Sequence, residues 1–522
     1  MPLHHGRRAV LPSLLAALTL LAAGCTSDGG SDEEATTSAS SAPAEPTAEP
    51  IEWTDCNDLL QPLLAGRPGS ERGMTFECGQ VTVPISYDEP GGERLPLRLV
   101  RGVHPQQTEK IGSLVVNPGG PGASGLDAAL GLALTLPEDV LRRFDLVGFD
   151  PRGVASSSPV ECIPDATKDR IVAAEPQPTS AEQLDSVFDL AREVAEGCAE
   201  RYESPAALGA FNTVDTARDM DLIRQSLGEE QLTYLGYSYG TTLGSTYAEL
   251  FPDRVRAFVL DAAVDPDADL RAAGEARAAG LEAGFDAFAQ NCTGLIAGCP
   301  LGADPRVFVD ELMLQASQAP IASTKEGETR QATPGVVLTA IQAGLYDTRT
   351  WPQLSQSLAA ARAGDAAGLF SLADSYSGRL QDGRYSNLLD ANLAINCADT
   401  EEEVDTDEVR ALAAEWDAEY PLFGANAAAG LYNCTPWEAD RTPLPTVDAE
   451  GSAPILVVGN QGDPVTPLPG AVNLAEDLTA GVLLTWQGQG HTAYPKNQCV
   501  NDAVNAYLID LVVPVDGLTC PA

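Results

Sequence analysis

The feature that most constrains the fold is a serine held between two glycines in a strand–turn–helix context. Gly236, Ser238 and Gly240 form a G-x-S-x-G pattern that follows an apolar run at 232–235 and precedes a helix-compatible run at 241–251. Flanking glycines allow a turn so tight that side chains there would clash, and such a turn holds a serine hydroxyl above the edge of a sheet. The sequence therefore predicts that Ser238 is a nucleophile.

A nucleophilic serine requires a general base, and histidines are scarce in this chain. Of the four histidines, two lie near the N-terminus, His104 precedes a glycine-rich loop, and His491 follows the apolar run 482–486. An α/β-hydrolase keeps its base on a loop after the last strand. His491 is therefore the predicted base, and the alternative is a structural histidine at the surface.

Two aspartates are candidates for the acid that orients this histidine. Asp463 follows an apolar run and lies on the loop after the penultimate predicted strand. A carboxylate there can orient the imidazole and stabilise its charged form. The chain order Ser238, Asp463, His491 is that of the α/β-hydrolases. Asp261, at the end of an earlier run, is the alternative acid, and Asp463 beside a proline can instead be a turn former.

A glycine-rich loop supplies the fourth part of such a site. The apolar run 113–116 leads into residues 117–122, Asn-Pro-Gly-Gly-Pro-Gly. Backbone N–H groups in such a loop can point at a developing oxyanion, and the predicted donors are those of Gly120 and of Tyr239, the residue after the nucleophile. Taken alone, the loop is a plain Gly/Pro connection; beside the serine turn it indicates an oxyanion hole.

Together these segments resemble the secreted actinobacterial tripeptidyl aminopeptidases, relatives of prolyl iminopeptidase. The resemblance covers residues 53–522, and its motifs are 117–122, 144–153, 215–222, 236–240, 259–261, 395–399, 462–467 and 490–494. It implies an α/β-hydrolase fold with a characteristic C-terminal segment. Some members with lipoprotein leaders are described as carboxylesterase-like, so the resemblance indicates the chemistry better than the substrate.

The resemblance also suggests how a free N-terminus is recognised. Related iminopeptidases use acidic lid residues to bind the ammonium group of the substrate. The acid within the motif 395–399 is Asp399, next to a cysteine. Asp399 is therefore the candidate amine anchor, and a helix-capping or structural role is the alternative.

Composition and charge exclude some partners. The chain has 522 residues, 44 % hydrophobic content and a net charge of −44, from 75 acidic and 31 basic residues. Nucleic acid is not expected as a partner, because affinity for it rests on Lys and Arg. No C-x-x-C pair or His-rich cluster indicates a metal, and no cofactor is expected. The expected partners are peptide substrates, and the protein is expected to be a monomer.

The N-terminus is typical of an exported lipoprotein. Residues 1–24 read as a signal peptide with an arginine pair before a short apolar core, which is too short for a spanning helix. The leader ends in Leu-Ala-Ala-Gly before Cys25, which resembles a bacterial lipobox; an ordinary secretory leader with a chance cysteine is the alternative. A lipid group on Cys25 would hold the enzyme at the outer face of a membrane. Residues 25–52 are predicted to be a disordered tether.

The remaining cysteines are even in number, as expected for disulfides in an exported chain. Eleven cysteines less Cys25 leave ten. Sequence alone does not determine connectivity, and pairing each cysteine with its neighbour is the simplest arrangement. That arrangement gives Cys56–Cys78, Cys162–Cys198, Cys292–Cys299, Cys397–Cys434 and Cys499–Cys520.

Alternating apolar runs and helical patterns predict an α/β-hydrolase fold with a mostly parallel sheet. The predicted strands are 75–84, 95–103, 113–116, 145–149, 232–235, 257–260, 455–458 and 482–486. A long Ala-rich insertion, residues 267–449, separates the sixth and seventh of these strands, with helical spacing at 272–290 and 353–376. It is the predicted lid, between two parts of the hydrolase core at 53–266 and 450–522. A final helix is predicted at 501–511.

The sequence thus predicts an exported, membrane-tethered serine peptidase of the aminopeptidase type, with tripeptides as the expected product. Two alternatives remain. A carboxylesterase would use the same catalytic groups on esters, and fold alone does not separate it from a peptidase. A catalytically inactive, envelope-binding lipoprotein is the other alternative, against which the ordered Ser, Asp and His argue.

Overall fold

The computed structural model describes residues 48–202 and 204–522. The predicted signal peptide, Cys25 and most of the predicted tether lie outside the described residues. Within them the chain builds one ten-stranded sheet. Its strands are β1 Thr54–Asp55, β2 Thr75–Pro84, β3 Arg94–Val103, β4 Gly112–Asn117, β5 Phe144–Phe149, β6 Leu232–Tyr237, β7 Val255–Asp261, β8 Ile455–Gly462, β9 Gly481–Gln489 and β10 Leu518–Cys520.

The sheet is mostly parallel, as predicted. Its strand order is β1-β2-β3-β5-β4-β6-β7-β8-β9-β10. Neighbours pair antiparallel from β1 to β5 and parallel from β5 to β10. All eight predicted strands are present. The edge strands β1 and β10 were not predicted, because two or three residues carry no readable hydrophobic pattern.

The helices fall into three groups along the chain: those before the end of β7, those between β7 and β8, and those after β8. Those before the end of β7 are α1 Asn57–Leu64, α2 Gly125–Thr135, α3 Glu138–Arg143, α4 Asp165–Ala173, α5 Ala181–Arg201, α6 Pro205–Gly209, α7 Thr213–Leu227 and α8 Tyr239–Leu250. Those between β7 and β8 are α9 Leu270–Thr293, α10 Pro305–Gln318, α11 Pro334–Leu345, α12 Trp351–Arg362, α13 Ala367–Ser377, α14 Leu388–Ala398, α15 Thr406–Glu419 and α16 Gly424–Gly430. The last two are α17 Leu468–Asp477 and α18 Gln498–Asp510. Short 3₁₀ turns lie at Ser70–Arg72, Pro252–Arg254, Thr348–Thr350 and Leu431–Cys434.

Both faces of the sheet are covered, which explains why its central strands are apolar throughout. All six residues of β5 and all six of β6 are buried. One face packs against α7, α8 and α17, and the other against α2, α3 and α18. This doubly covered parallel sheet is the α/β-hydrolase architecture that the sequence predicts.

The helical insertion follows the sixth of the predicted strands, which is β7 once the short β1 is counted. Its helices α9 to α13 share one hydrophobic cluster, and α15 and α16 share another. The single helical pattern predicted at 353–376 is two helices, because the chain turns at Gly364, where φ is 100°, a conformation that favours glycine.

The helical layer also includes residues that sequence analysis assigned to the hydrolase core. Val172 of α4 packs within the α9–α13 cluster, and Leu184 and Phe188 of α5 pack with α15 and α16. Helices α4 and α5 thus pack with helices of the insertion although they precede it in the chain. The sequences of α4 and α5 show that each helix has an apolar face, but only the tertiary structure shows which other helices that face packs against.

Five disulfides are present, and their pairing is the predicted neighbour pairing: Cys56–Cys78, Cys162–Cys198, Cys292–Cys299, Cys397–Cys434 and Cys499–Cys520. Disulfides form in oxidising compartments, so they indicate an exported protein. Among residues 48–202 and 204–522, no helix is long and apolar enough to cross a bilayer.

Candidate active site

Ser238 occupies the turn between β6 and α8. Its φ of 56° and ψ of −125° are rarely adopted by a non-glycine residue, so this turn is strained. A Cβ at Gly236 would lie 2.3 Å from the carbonyl oxygen of Gly240, and only glycine fits there. The N–H of Ser238 donates to the carbonyl oxygen of Asp261 at 3.0 Å. The turn is thus fixed to the end of the neighbouring strand β7.

His491 and Asp463 lie within hydrogen-bonding distance of each other. Nδ1 of His491 is 3.0 Å from each carboxylate oxygen of Asp463. Oδ1 of Asp463 also accepts the N–H groups of Val465 at 2.9 Å and Thr466 at 3.0 Å. These two backbone donors hold the carboxylate toward the imidazole. Both side chains are buried, which strengthens the interaction between them.

Asp261, the alternative acid, has different partners. Its carboxylate accepts the N–H of Ala493 at 3.0 and 3.1 Å and that of Tyr494 at 2.7 Å. Burial raises the pKa of Asp261 to about 6, because the charged form loses its hydration. Asp261 therefore anchors the loop that follows His491, whereas Asp463 contacts the imidazole itself.

Sheet topology brings these residues to one edge. Ser238, Asp261, Asp463 and His491 stand at or just after the ends of β6, β7, β8 and β9. These four strands are consecutive and parallel, so their carboxyl ends meet at the same edge. Asp261 connects the serine turn to the loop that follows His491. Its carbonyl oxygen accepts the N–H of Ser238, and its carboxylate accepts the N–H groups of that loop.

The glycine-rich loop after β4 lies against the serine turn. A Cβ at Gly119 would lie 2.5 Å from the carbonyl oxygen of Tyr237 and 2.9 Å from Cβ of Ser238. The N–H of Gly119 donates to Oδ1 of Asn117 at 2.9 Å. Gly119 is therefore the residue that approaches the serine turn most closely, but its N–H is hydrogen-bonded to Asn117 and is not available to an oxyanion. The next N–H along the loop is that of Gly120, where φ is 113°, so Gly120 stays the candidate donor.

Tyr239 supplies a second N–H and a phenol group beside the serine. It is the first residue of α8, and an N–H in the first turn of a helix has no intrahelical carbonyl partner. Its phenol oxygen contacts the hydroxyl of Thr213. Sequence analysis did not single out Thr213; the nearest signal is the motif that begins two residues later.

A carboxylate reaches the serine turn through these hydroxyl groups. Oδ1 of Asp399 accepts the N–H of Thr213 at 2.8 Å, and Oδ2 accepts its hydroxyl at 2.6 Å. Burial raises the pKa of Asp399 to about 7, and no cation opposes that rise. Within the described part of the chain, Asp399 thus lacks a Lys or Arg partner.

Helix α14, which ends at this aspartate, also packs on the glycine-rich loop. A Cβ at Gly122 would lie 2.9 Å from the carbonyl oxygen of Leu388. Nδ2 of Asn392 donates to the carbonyl oxygen of Pro121 at 3.0 Å. The disulfide of Cys397 ties the end of the helix to the 3₁₀ turn 431–434. Helix α14 therefore contacts the glycine-rich loop directly, and Asp399 after its end is linked to the serine turn through Thr213.

One residue of the insertion lies directly against the histidine. The carbonyl oxygen of Tyr346 accepts the N–H of His491 at 2.8 Å. The ring centroids of the two residues are 5.2 Å apart with planes at 76°, an edge-to-face contact. Tyr346 follows α11 without any motif, so the sequence carries no signal for this contact.

Comparison with known proteins gives matches along nearly the whole chain. Residues 420–520 match a family model described as TAP-like protein. The serine protease Hip1 of Mycobacterium tuberculosis is 40 % identical over 496 residues, which cover 91 % of this chain and 92 % of that protein. Carboxylesterase B of the same organism is 35 % identical over 498 residues, covering 92 % and 91 %. The tripeptidyl aminopeptidase of Streptomyces coelicolor is 31 % identical over 488 residues, covering 90 % and 86 %.

The fold and the relatives named serine protease and tripeptidyl aminopeptidase define a serine hydrolase of the α/β-hydrolase class. Within that class, the chain belongs to the actinobacterial tripeptidyl aminopeptidase family. The family resemblance indicated by the sequence motifs is thereby confirmed.

Proposed function

We propose that this protein is an exported serine peptidase that releases short peptides, with tripeptides as the preferred product, from free N-termini. The observation that carries the proposal is Asp399, whose carboxylate is linked to the serine turn through Thr213 and Tyr239 and has no cationic partner among the described residues. A peptidase that counts residues from the N-terminus must bind the substrate's ammonium group. A partly desolvated ammonium needs a carboxylate partner, whereas ester hydrolysis does not require one.

In the proposed reaction, Ser238 attacks the carbonyl carbon of the scissile bond. His491 takes the serine proton as this bond forms and then donates it to the leaving nitrogen, while Asp463 orients the imidazole and stabilises its charged form. The N–H groups of Gly120 and Tyr239 bind the oxyanion. Water, deprotonated by His491, then attacks the acyl-enzyme, which releases the short peptide and restores the serine hydroxyl. No cofactor takes part.

The proposed amine anchor has a pH dependence of its own. Asp399 binds an ammonium group as the carboxylate, and its pKa of about 7 means that the carboxylate is lost as the pH falls below 7. A peptide α-amino group has a pKa of about 7.7–8.0 and loses its charge above that range. The affinity for free-amine substrates should therefore be highest near pH 7–8 and fall on both sides.

The length of α14 supports a preference for three residues. Asn392 contacts the glycine-rich loop, and Asp399 comes seven residues later (392 to 399) on the same face of the helix. At about 1.5 Å per residue, the two positions are about 10 Å apart along the helix. Three residues of an extended peptide also span about 10 Å. An ammonium bound at Asp399 would therefore bring the third carbonyl group of the substrate close to the loop and to Ser238.

The variant Asp399→Asn tests the amine anchor. The asparagine keeps an acceptor for the Thr213 N–H and can donate to the Thr213 hydroxyl, so the fold should be preserved. For free-amine tripeptide substrates, kcat/KM should decrease by an amount that corresponds to about 2–4 kcal/mol of activation free energy, the usual effect of removing one partner of a buried charge pair. For ester substrates the decrease should be far smaller. Glu401→Gln is the matched control, because it removes an exposed negative charge two residues away and should have no such effect.

The esterase alternative keeps specific support, because one relative is named carboxylesterase B. Equal losses on peptides and esters in Asp399→Asn would favour that alternative. It would also be favoured if the wild-type protein cleaved N-acetylated peptides as fast as free ones. Absence of turnover on every substrate class, with Ser238 unreactive toward a fluorophosphonate, would favour the non-catalytic envelope-binding alternative.

The proposed location is the outer face of the cell membrane. The lipobox-like sequence that ends at Cys25 supports a lipid anchor there, and the disulfides are consistent with an oxidising compartment. In this proposal the enzyme acts as a monomer on peptide substrates and has no nucleic-acid partner.

A further inference from the structure

Arg277 lies in the helical insertion, near the sheet edge that carries Ser238, Asp463 and His491. Arg277 of α9 is partly exposed, and its Nη2 donates to the hydroxyl of Tyr376 at 2.9 Å. The hydroxyl of Tyr346 also interacts with the guanidinium. No Asp or Glu forms an ion pair with Arg277 within residues 48–202 and 204–522. A guanidinium has five N–H donors, so these two hydroxyl groups leave most of them without an acceptor among the described residues.

The face of α9 that carries Arg277 packs on the loop of the proposed catalytic acid. A Cβ at Gly280 would lie 2.9 Å from the carbonyl oxygen of Pro464, and one at Gly284 would lie 2.8 Å from its Cβ. Pro464 directly follows Asp463. Because Arg277 precedes Gly280 by three residues, it lies on the same face, one turn away. The glycines thus bring this helix, and with it the guanidinium, close to the catalytic edge.

Two tyrosines connect the guanidinium to the imidazole. The ring of Tyr346 makes its edge-to-face contact with His491, and its hydroxyl oxygen is 3.4 Å from that of Tyr376. The hydroxyl of Tyr376 accepts from Arg277. Each of the three insertion residues is partly exposed.

We propose that Arg277 and the hydroxyls of Tyr346 and Tyr376 form a subsite for a carboxylate in the leaving part of the substrate. This inference rests on the proposed function. The imidazole gives its proton to the leaving nitrogen, so the departing segment must lie next to His491. Asp399 is reached from the serine turn through a different pair of side chains. The site would then bind an ammonium group on its acyl side and a carboxylate on its leaving-group side.

The carboxylate can come from two sources, the C-terminus of a short peptide or an Asp or Glu side chain just after the scissile bond. Two substrate pairs with free N-termini distinguish them. The first pair is a tetrapeptide with a free C-terminal carboxylate and the same peptide with a C-terminal amide. The second pair is a C-terminally amidated pentapeptide with Glu or Gln as its fourth residue. The measurement is kcat/KM for release of the first three residues, with products identified by mass spectrometry.

The wild-type enzyme should prefer the carboxylate member of at least one pair by about tenfold to hundredfold, the range for a hydrogen-bonded charge. Arg277→Gln should abolish that preference, and Arg277→Lys should restore part of it because the charge is kept. The matched control is Arg271→Gln on the same helix. Arg271 is exposed and pairs with Glu408, so its removal should leave the preference as in the wild type.

Two results would overturn the inference. One is a wild-type enzyme that treats both members of each pair alike, a result that does not depend on any variant folding. The other is a folded Arg277→Gln variant that keeps the wild-type preference. If no free-amine peptide is cleaved, the proposed function fails on its own. The same comparison then uses butyrate esters whose alcohol part carries a carboxylate or its primary amide. The subsite would again be overturned if the wild type showed no preference for the carboxylate ester, or if Arg277→Gln kept that preference.

Discussion

Replacing Asp463 by Asn should lower kcat by about 10⁴ although the two side chains have nearly the same shape. Oδ1 of Asp463 accepts the N–H groups of Val465 and Thr466, so the oxygen of the new amide must take that position. Its NH₂ group then faces Nδ1 of His491, now 3.0 Å from Oδ2, and donates to it. This donation favours the tautomer with its proton on Nε2, and that tautomer cannot accept the proton of Ser238.

A factor of 10⁴ corresponds to about 5.4 kcal/mol of activation free energy. The same change at Asp261 should have a smaller effect. Among the described residues, that carboxylate accepts hydrogen bonds from the N–H groups of Ala493 and Tyr494, and an asparagine keeps one acceptor oxygen for them. Loss of one hydrogen bond to a buried donor amounts to about 1–3 kcal/mol, so the decrease in kcat should be at most about 160-fold.

The assay is steady-state turnover of a free-N-terminus tripeptide amide and of a short-chain ester by both variants. Thermal unfolding of each variant checks that the fold is intact. Both substrates should report the same ranking, since the tautomer affects the serine and not the substrate. A larger loss for Asp261→Asn than for Asp463→Asn would refute this reasoning and move the acid to the end of β7. So would an Asp463→Asn variant with more than a tenth of the wild-type kcat.

Three further predictions concern the nucleophile, the cysteines and the buried acid. Ser238→Ala should lower turnover by about 10⁶ and abolish labelling by a fluorophosphonate; labelling at another serine in an active variant would exclude the scheme. Non-reducing alkylation and intact mass should find no free thiol in the mature domain, and Cys25→Ser should abolish lipid labelling; two or more alkylated cysteines would contradict the five disulfides. Folding raises the pKa of Asp399 to about 7. The charged carboxylate therefore destabilises the fold increasingly from about pH 4 to pH 7, and this destabilisation is constant above pH 7. Asp399→Asn should unfold at a higher temperature than the wild type at pH 8, and the increase in unfolding temperature should be smaller at pH 5.

Local patterns predicted the fold well because each depends on neighbouring residues. The G-x-S-x-G turn, the apolar strands and the loop after β4 are all readable within ten residues. The simplest disulfide pairing, neighbour with neighbour, is the one observed, and the paired cysteines are only 7 to 37 residues apart. A parallel sheet then implies a common edge for residues that end adjacent strands, which is how Ser238, Asp463 and His491 could be grouped.

Contacts between distant segments were not predictable. Asp399 and Thr213 are 186 residues apart, and neither the helix start at Thr213 nor its sequence indicates a carboxylate partner. Tyr346 and Arg277 lie in an Ala-rich insertion whose helical pattern shows which faces are apolar, but not which face covers the catalytic edge. The two glycines of α9 that approach Pro464 read in the sequence only as weak helix positions.

The proposed activity is tested most directly by three substrates given to the wild-type protein: a tripeptide amide with a free N-terminus, its N-acetylated form and a short-chain ester. The free tripeptide should be released whole, and acetylation should lower kcat/KM by about hundredfold or more, because it removes the charge that Asp399 binds. Equal cleavage of the free and acetylated peptides, or turnover of the ester alone, would contradict the aminopeptidase assignment.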